Sequence, residues 1–264
     1  MVRPTNSTPA VELLRVTQRF GEYTAVADVD LRVDEGEFVA VVGPTGCGKS
    51  TLLNMIAGLR PPAAGEVRVF GQSLEGLNRR AGYLFQADAL LPWKTALGNV
   101  ALGLSFAGTA REEAEARARG WLAKVGLGGF EDRYPHQLSG GMRKRVALAQ
   151  VLIMDPKILL MDEPFSALDV QTRQLMENEL LRLWEEDQKS VLFVTHDLEE
   201  AIALADRVVV MSAGPASRPI GNFPVSLERP RDVTEVRLTE AFLEIHREVW
   251  GLLREEVMRA HGQA

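Results

Sequence analysis

Cysteine is almost absent: Cys47 is the only one in 264 residues. A single thiol excludes an intramolecular disulfide and leaves no cysteine cluster with metal-ligand spacing. A reducing compartment is therefore expected. Long apolar runs are missing too. The longest, such as residues 39–42 and 158–161, are far shorter than the roughly 20 residues that cross a bilayer as a helix. Any membrane role is expected to come through a partner. A basic excess is also lacking: 30 Lys and Arg against 36 Asp and Glu give a net charge of −6, so no nucleic-acid partner is expected. Residues 1–10 are polar, without a charged start followed by an apolar stretch, and no signal peptide is expected. The chain shows no internal repeat and no low-complexity tract.

What is present is a pattern of two strand types. Residues 11–16, 26–33 and 66–70 alternate apolar with polar, as half-exposed antiparallel strands do. Residues 38–42, 158–161, 191–195 and 208–211 are continuous apolar runs, the mark of strands buried on both faces at the parallel centre of an α/β sheet. Between 88 and 155 the period becomes helical. Ala114, Ala118, Trp121, Leu122 and Val125 share one stripe, with Glu113–Arg117 and Glu115–Arg119 as i,i+4 pairs opposite. This stretch reads as a helical subdomain inserted into a domain spanning 11–230. After Arg229-Pro230-Arg231, an extension over 231–264 carries Phe242, Ile245, Val249, Leu252 and Leu253 on one helical face, with Thr239 placed to cap it.

The chemistry concentrates in three segments. Gly43-Pro44-Thr45-Gly46-Cys47-Gly48-Lys49-Ser50-Thr51 matches the G-x-x-x-x-G-K-[ST] phosphate loop and lies between a buried strand and a helical start, as that motif requires. Gly43, Gly46 and Gly48 let the backbone approach phosphate oxygens, Lys49 neutralises β- and γ-phosphate charge, and the Ser50 hydroxyl suits Mg²⁺. The second segment, Asp162-Glu163-Pro164, ends a buried strand at the carboxyl edge of a parallel sheet, where such sheets bind ligands. Asp162 suits Mg²⁺, and Glu163 suits removal of a proton from an attacking water, a contribution of about 10²- to 10⁴-fold. The third, Ser139-Gly140-Gly141, opens a helix whose N-terminal N–H groups and Ser139 hydroxyl are free to bind an anion. Cys47 reads as a small tolerated loop residue, although a helix N-terminus beside it can lower a thiol pKa, which would open it to thiol reagents with protection by a bound nucleotide.

These segments stand in the order found in ATP-binding cassette (ABC) ATPases, and the chain resembles that family over nearly its whole length. Phe20 matches the aromatic position that stacks on adenine, with Tyr23 as the alternative. Gln86 matches the metal- and water-sensing glutamine. Leu138 to Met142 match the signature, Ser166-Ala167-Leu168-Asp169 the D-loop, and His196 the switch histidine. The resemblance implies an α/β P-loop NTPase fold of RecA-like type. That fold has a mostly parallel core sheet, an antiparallel β subdomain and an inserted helical subdomain. It also implies ATP hydrolysis with ATP and Mg²⁺, with Lys49, Gln86, Glu163 and His196 catalytic and Ser50, Gln86 and Asp162 around the metal. In the family the signature binds the γ-phosphate of ATP held by a second copy, so an ATP-bound homodimer with two composite sites is implied. Lys144 and Gln150 depart from the family pattern, standing where Gln and Arg are common.

Leu90-Leu91-Pro92-Trp93, Tyr134-Pro135-His136-Gln137 and Arg229-Pro230-Arg231-Asp232 resemble the nitrate/sulfonate/taurine group of importer ATPases. That group implies an integral membrane permease docked beside Gln86. It also implies a periplasmic or lipid-anchored solute-binding protein acting indirectly, and a place on the cytoplasmic side of the inner membrane. A single amphipathic helix follows Arg229-Pro230-Arg231-Asp232, and the regulatory domain of sugar-importer ATPases is not expected. A soluble ABC protein of DNA repair or translation is the alternative, but such proteins usually carry two cassettes or long inserts. An exporter ATPase is another, often with fused membrane spans. The sequence leaves open whether the final helix packs on its own domain, a second copy or the permease. It does not name the solute.

Overall fold

The structure, a computed structural model, describes residues 8–262; most of the stretch read as leader-free, residues 1–7, lies outside it, as do residues 263 and 264. The first half of the chain forms β1 (Val11–Phe20), β2 (Tyr23–Val33), β3 (Phe38–Val42), α1 (Lys49–Ile56), β4 (Ala64–Val69), β5 (Gln72–Ser73) and β6 (Ala81–Leu84). Then come α2 (Ala96–Val100), α3 (Leu102–Phe106), α4 (Arg111–Lys124) and α5 (Gly140–Leu152). The second half alternates β7 (Ile158–Asp162), α6 (Val170–Asp187), β8 (Ser190–Val194), α7 (Leu198–Leu204) and β9 (Arg207–Met211). It closes with β10 (Pro219–Pro224), α8 (Val233–Val236) and α9 (Glu240–Ala260).

Two sheets result. One is antiparallel, in the order β2-β1-β4-β5. The other runs β10-β9-β3-β8-β7-β6, parallel throughout except for the antiparallel edge strand β10. Every residue of β3 is buried, and its alternate side chains enter different cores. Phe38, Ala40 and Val42 pack with the helices, while Val39 and Val41 pack with α1 and the antiparallel sheet. Strands covered on both faces need no polar positions, which is why these segments read as continuous apolar runs.

The strand ends are level where the motifs emerge. Val41 of β3 pairs with Val194 of β8, Val194 with Asp162 of β7, and Met161 with Leu84 of β6. Four neighbouring strands thus deliver the phosphate loop, His196, Glu163 and Gln86 to one sheet edge.

The helical stripe of α4 is buried at Ala114, Ala118 and Leu122, with Val125 beyond its end; Trp121 is only partly buried. Glu115 pairs with Arg119 at 3.8 Å and with Arg111 at 2.8 Å. The expected Glu113–Arg117 pair does not form. Arg117 donates instead to the Ile153 carbonyl at 3.1 Å, at the end of α5, where unpaired helix carbonyls attract a cation. Thr239 caps α9 by accepting from the Phe242 N–H. Phe242, Val249 and Leu253 are buried in the helix-side core, and the Glu256 carboxylate accepts from the Ala213 N–H at 2.7 Å. The final helix therefore packs on its own chain, against α7, β9 and β10.

Candidate active site

The phosphate loop leaves β3 at Val42 and turns into α1 through two glycines of left-handed backbone, Gly46 (φ 80) and Gly48 (φ 94). At Gly48 an added Cβ would lie 2.5 Å from Cγ1 of Val26, so both φ and packing demand glycine. Gly48 gives α1 no side-chain cap, and the first N–H groups of the helix are left for a ligand. Lys49 is buried over this loop. Its Nζ donates to the carbonyls of Gly43 at 2.8 Å and Pro44 at 3.1 Å.

Ser50, one residue on, donates its hydroxyl to Asp162 Oδ1 at 2.9 Å. The other Asp162 oxygen faces the Tyr83 hydroxyl at 3.4 Å. Burial pushes the Asp162 carboxyl above the ordinary aspartate range, and the neighbouring Glu163 charge adds to this; the Ser50 and Tyr83 hydrogen bonds and Lys49 oppose it. Burial beside Asp162 also pushes the Tyr83 phenol up, so it serves as a donor and stays protonated.

Glu163 holds left-handed backbone at φ 43, unusual for a residue with a side chain. Its N–H donates to the Val194 carbonyl at 2.8 Å, which fixes the turn to the end of β8. Its carboxylate lies 2.9 Å from His196 Nδ1. Behind it, Ser166 bonds the Glu163 carbonyl through its hydroxyl at 3.0 Å, and Gln86 Nε2 reaches that hydroxyl at 3.4 Å. Thr45, Gly46, Gly48, Lys49, Ser50, Thr51, Gln86, Glu163 and His196 line one cavity of ≈ 460 Å³.

Ser139, Gly140, Gly141 and Asp169 do not line it. Ser139 caps α5, accepting from the Met142 N–H at 3.3 Å. Asp169 caps α6, accepting from the Thr172 N–H at 3.0 Å, and that bond holds its carboxyl below the usual range. Phe20 and Tyr23 face each other across the β1–β2 turn, half-exposed and outside the cavity lining. The Arg60 guanidinium covers the Phe20 ring at 4.7 Å.

Cys47 corrects an expectation. Its side chain is 1% exposed in the core between the sheets, and burial pushes the thiol up although Lys49 pulls it down. Desolvation outweighs the helix end, so the lowered pKa predicted from position does not hold.

Three contributors escaped sequence reasoning. Tyr83 pairs with Leu160, two residues before Asp162, so the period of two put its side chain on the Asp162 face. Arg173 donates to Asp197 at 3.2 Å and to the Leu168 carbonyl at 3.2 Å, tying the loop of Asp169 to the loop of His196. Asp88 binds Arg143 at 2.9 Å and Lys144 at 3.1 Å, joining the Gln86 loop to α5. The last two contacts link segments distant in sequence, and no local pattern announces them.

Residues 26–166 match the ABC transporter family. Over 236 residues the chain is 47% identical to an uncharacterised ABC transporter ATP-binding protein of Methanocaldococcus jannaschii, covering 89% of this chain and 86% of that protein. It is 43% identical over 220 residues to the taurine import ATP-binding protein TauB of Escherichia coli strain K12, covering 82% and 86%. Among solved structures, a dimeric ATP-binding cassette in a post-hydrolysis state bound to ADP and Pi superposes with a TM-score of 0.72 at 36% identity, over 83% of this chain and 100% of that one.

Proposed function

The chain belongs to the ABC transporter family as an ATP-binding and ATP-hydrolysing subunit, and from that premise we propose that it is the motor of an importer for a nitrate-, sulfonate- or taurine-like solute. The observation that carries the mechanism is a separation: the phosphate loop, Gln86, Glu163 and His196 share one cavity, while the Ser139–Gly141 segment lines none of it. A helix start that binds phosphate yet lies outside its own chain's cavity would complete the site of a second copy. Two chains, each holding one ATP, then form two composite sites.

Within each site Lys49 and the N–H groups of residues 45–51 hold the phosphates, and their fixed positive potential neutralises charge on the transferred group. The Ser50 hydroxyl, the Asp162 carboxylate 2.9 Å away and the Gln86 side chain form a small set of hard oxygen donors. This sparse donor set suits Mg²⁺, which keeps its water and shares phosphate oxygens. Bound Mg²⁺ would draw charge from the β- and γ-phosphate oxygens. Glu163 then orients the attacking water and accepts its proton, with His196 Nδ1 holding the carboxylate. Asp169, whose neighbours Leu168 and Thr172 lie against Gly140 and Gly141, contributes from the partner's side, and Phe20 offers the adenine platform.

The domain comprises 11–230 with a helical subdomain at about 88–155, and the 231–264 extension docks on it through α9. Among the described residues no helix is long and apolar enough to cross a membrane. In this reading transport goes through a separate permease, which holds the chain at the cytoplasmic face of the inner membrane and meets the solute-binding protein outside. Support for an importer comes from the TauB relative and from Trp93, 71% exposed a few residues after Gln86. A large exposed indole seven residues after Gln86 offers a permease helix an apolar anchor. In the assembled complex Trp93→Ala is expected to leave ATP hydrolysis running and to abolish its coupling to uptake. Uptake at the normal rate in that variant would remove the docking role.

A further inference from the structure

Lys144 lies on α5, five residues beyond Ser139, or about 7.5 Å along the helix. It is 2% exposed. Lysine is rarely buried this far, because an ammonium taken from water must be fully paired. Here Nζ donates to the Gln86 carbonyl at 2.5 Å and the Phe85 carbonyl at 3.4 Å, and forms an ion pair with Asp88 Oδ1 at 3.1 Å. All three acceptors belong to the loop that presents Gln86 to the nucleotide cavity.

The other side of the joint closes through Arg143. Its Nε donates to Asp88 Oδ2 at 2.9 Å, and NH1 donates to the carbonyl of Leu138, immediately before Ser139, at 2.9 Å. Loop 85–88 and the start of α5 are thus bound into one polar unit around Lys144. Moving either part alone would strip a buried cation of its acceptors, so small relative displacements are strongly disfavoured.

We propose that Lys144 is a positioning residue that makes the Ser139–Gly141 segment and Gln86 move together, so that each composite site senses the other. The link rests on the shared-site arrangement proposed above. A chain's Ser139 segment contacts ATP held by its partner, whereas its Gln86 faces its own ATP. A rigid joint between the two passes the state of one site into the other.

The test is the ATP dependence of steady-state hydrolysis. The natural chain is expected to give a sigmoidal curve, with a Hill coefficient above one and bounded by two sites. Lys144→Met and Asp88→Asn should each give a hyperbolic curve, with half-maximal ATP raised roughly 5-fold or more, the low end of ordinary site–site coupling. ATP affinity of the monomer should be unchanged. Asp88→Asn keeps the side-chain volume and carries the test if Lys144→Met does not fold. A non-cooperative natural chain, or variants that keep its Hill coefficient, would overturn the proposal.

Sizing in the Glu163→Gln background separates the two ideas. If Glu163→Gln dimerises with ATP while Lys144→Met stays cooperative, shared sites stand and the role of Lys144 falls. If Glu163→Gln stays monomeric, both fall. The double variant is expected to dimerise, because the Ser139 segment is intact. A double variant unable to do so would reduce Lys144 to a structural support.

Discussion

Glu163 combines an uncommon backbone with its proposed chemistry. Its left-handed φ of 43 turns the carboxylate toward His196, and the N–H bond to Val194 holds that turn against the sheet. Such local strain persists only where surrounding structure determines it, here through β8. Cys47 shows the opposite balance, a position that invites reactivity and a packing that removes it. Treatment of the folded chain with a water-soluble thiol reagent should label Cys47 slowly, with rapid labelling only after unfolding. Fast labelling of the native chain, slowed by ATP, would restore the reactive thiol inferred from position alone. Motif spacing made Ser50, Asp162, Glu163 and His196 legible, because each sits at a strand end or helix start that the hydrophobic pattern marks. Exposure of Cys47 was not legible: which way a loop side chain points depends on the sheet packed above it. Lys144 stood out in the sequence only as a departure, and its partners on the Gln86 loop became visible in three dimensions.

Helices α6, α7 and α8 meet over a cluster of buried acids. Glu177 is fully buried, and burial pushes it up to about 7 although Arg237 lies 3.0 Å away. Burial pushes Glu200 up to about 8, despite its hydrogen bond from Thr195 beside His196. Arg173 and Asp197 complete the charged surroundings of the pair. An acid whose folded pKa is raised binds more protons folded than unfolded, so stability falls as pH rises between the two values. The contribution is full below the ordinary glutamate value of 4.5 and is lost as pH rises through about 7 for Glu177 and about 8 for Glu200. The thermal midpoint should therefore fall as pH is raised from about 6 to about 8.5, and Glu200→Gln should flatten the upper part of that fall. A midpoint that climbs across this window would contradict the assignment. The elements themselves were largely legible, since alternating and continuous apolar runs distinguish the two sheets. Side-chain pairing on α4 was less so: Arg117 had two acceptors within reach, and the helix-end carbonyl of Ile153 won over Glu113.

At the scale of the whole molecule, the arrangement of β3, β8, β7 and β6 puts four loops at one edge and leaves the start of α5 apart from them. Order along the chain singled out both glycine-rich segments, but only the folded structure shows that they do not share a cavity. That separation is the central claim: one chain holds the nucleotide and a second copy completes the site. Its most direct test is the molecular mass of Glu163→Gln in solution with ATP and Mg²⁺, measured by size exclusion with light scattering. Turnover should fall by about 10²- to 10⁴-fold with ATP still bound, and the account predicts a stable dimer that reverts to monomer when ATP is removed. A variant that binds ATP yet remains monomeric at every protein concentration would contradict it.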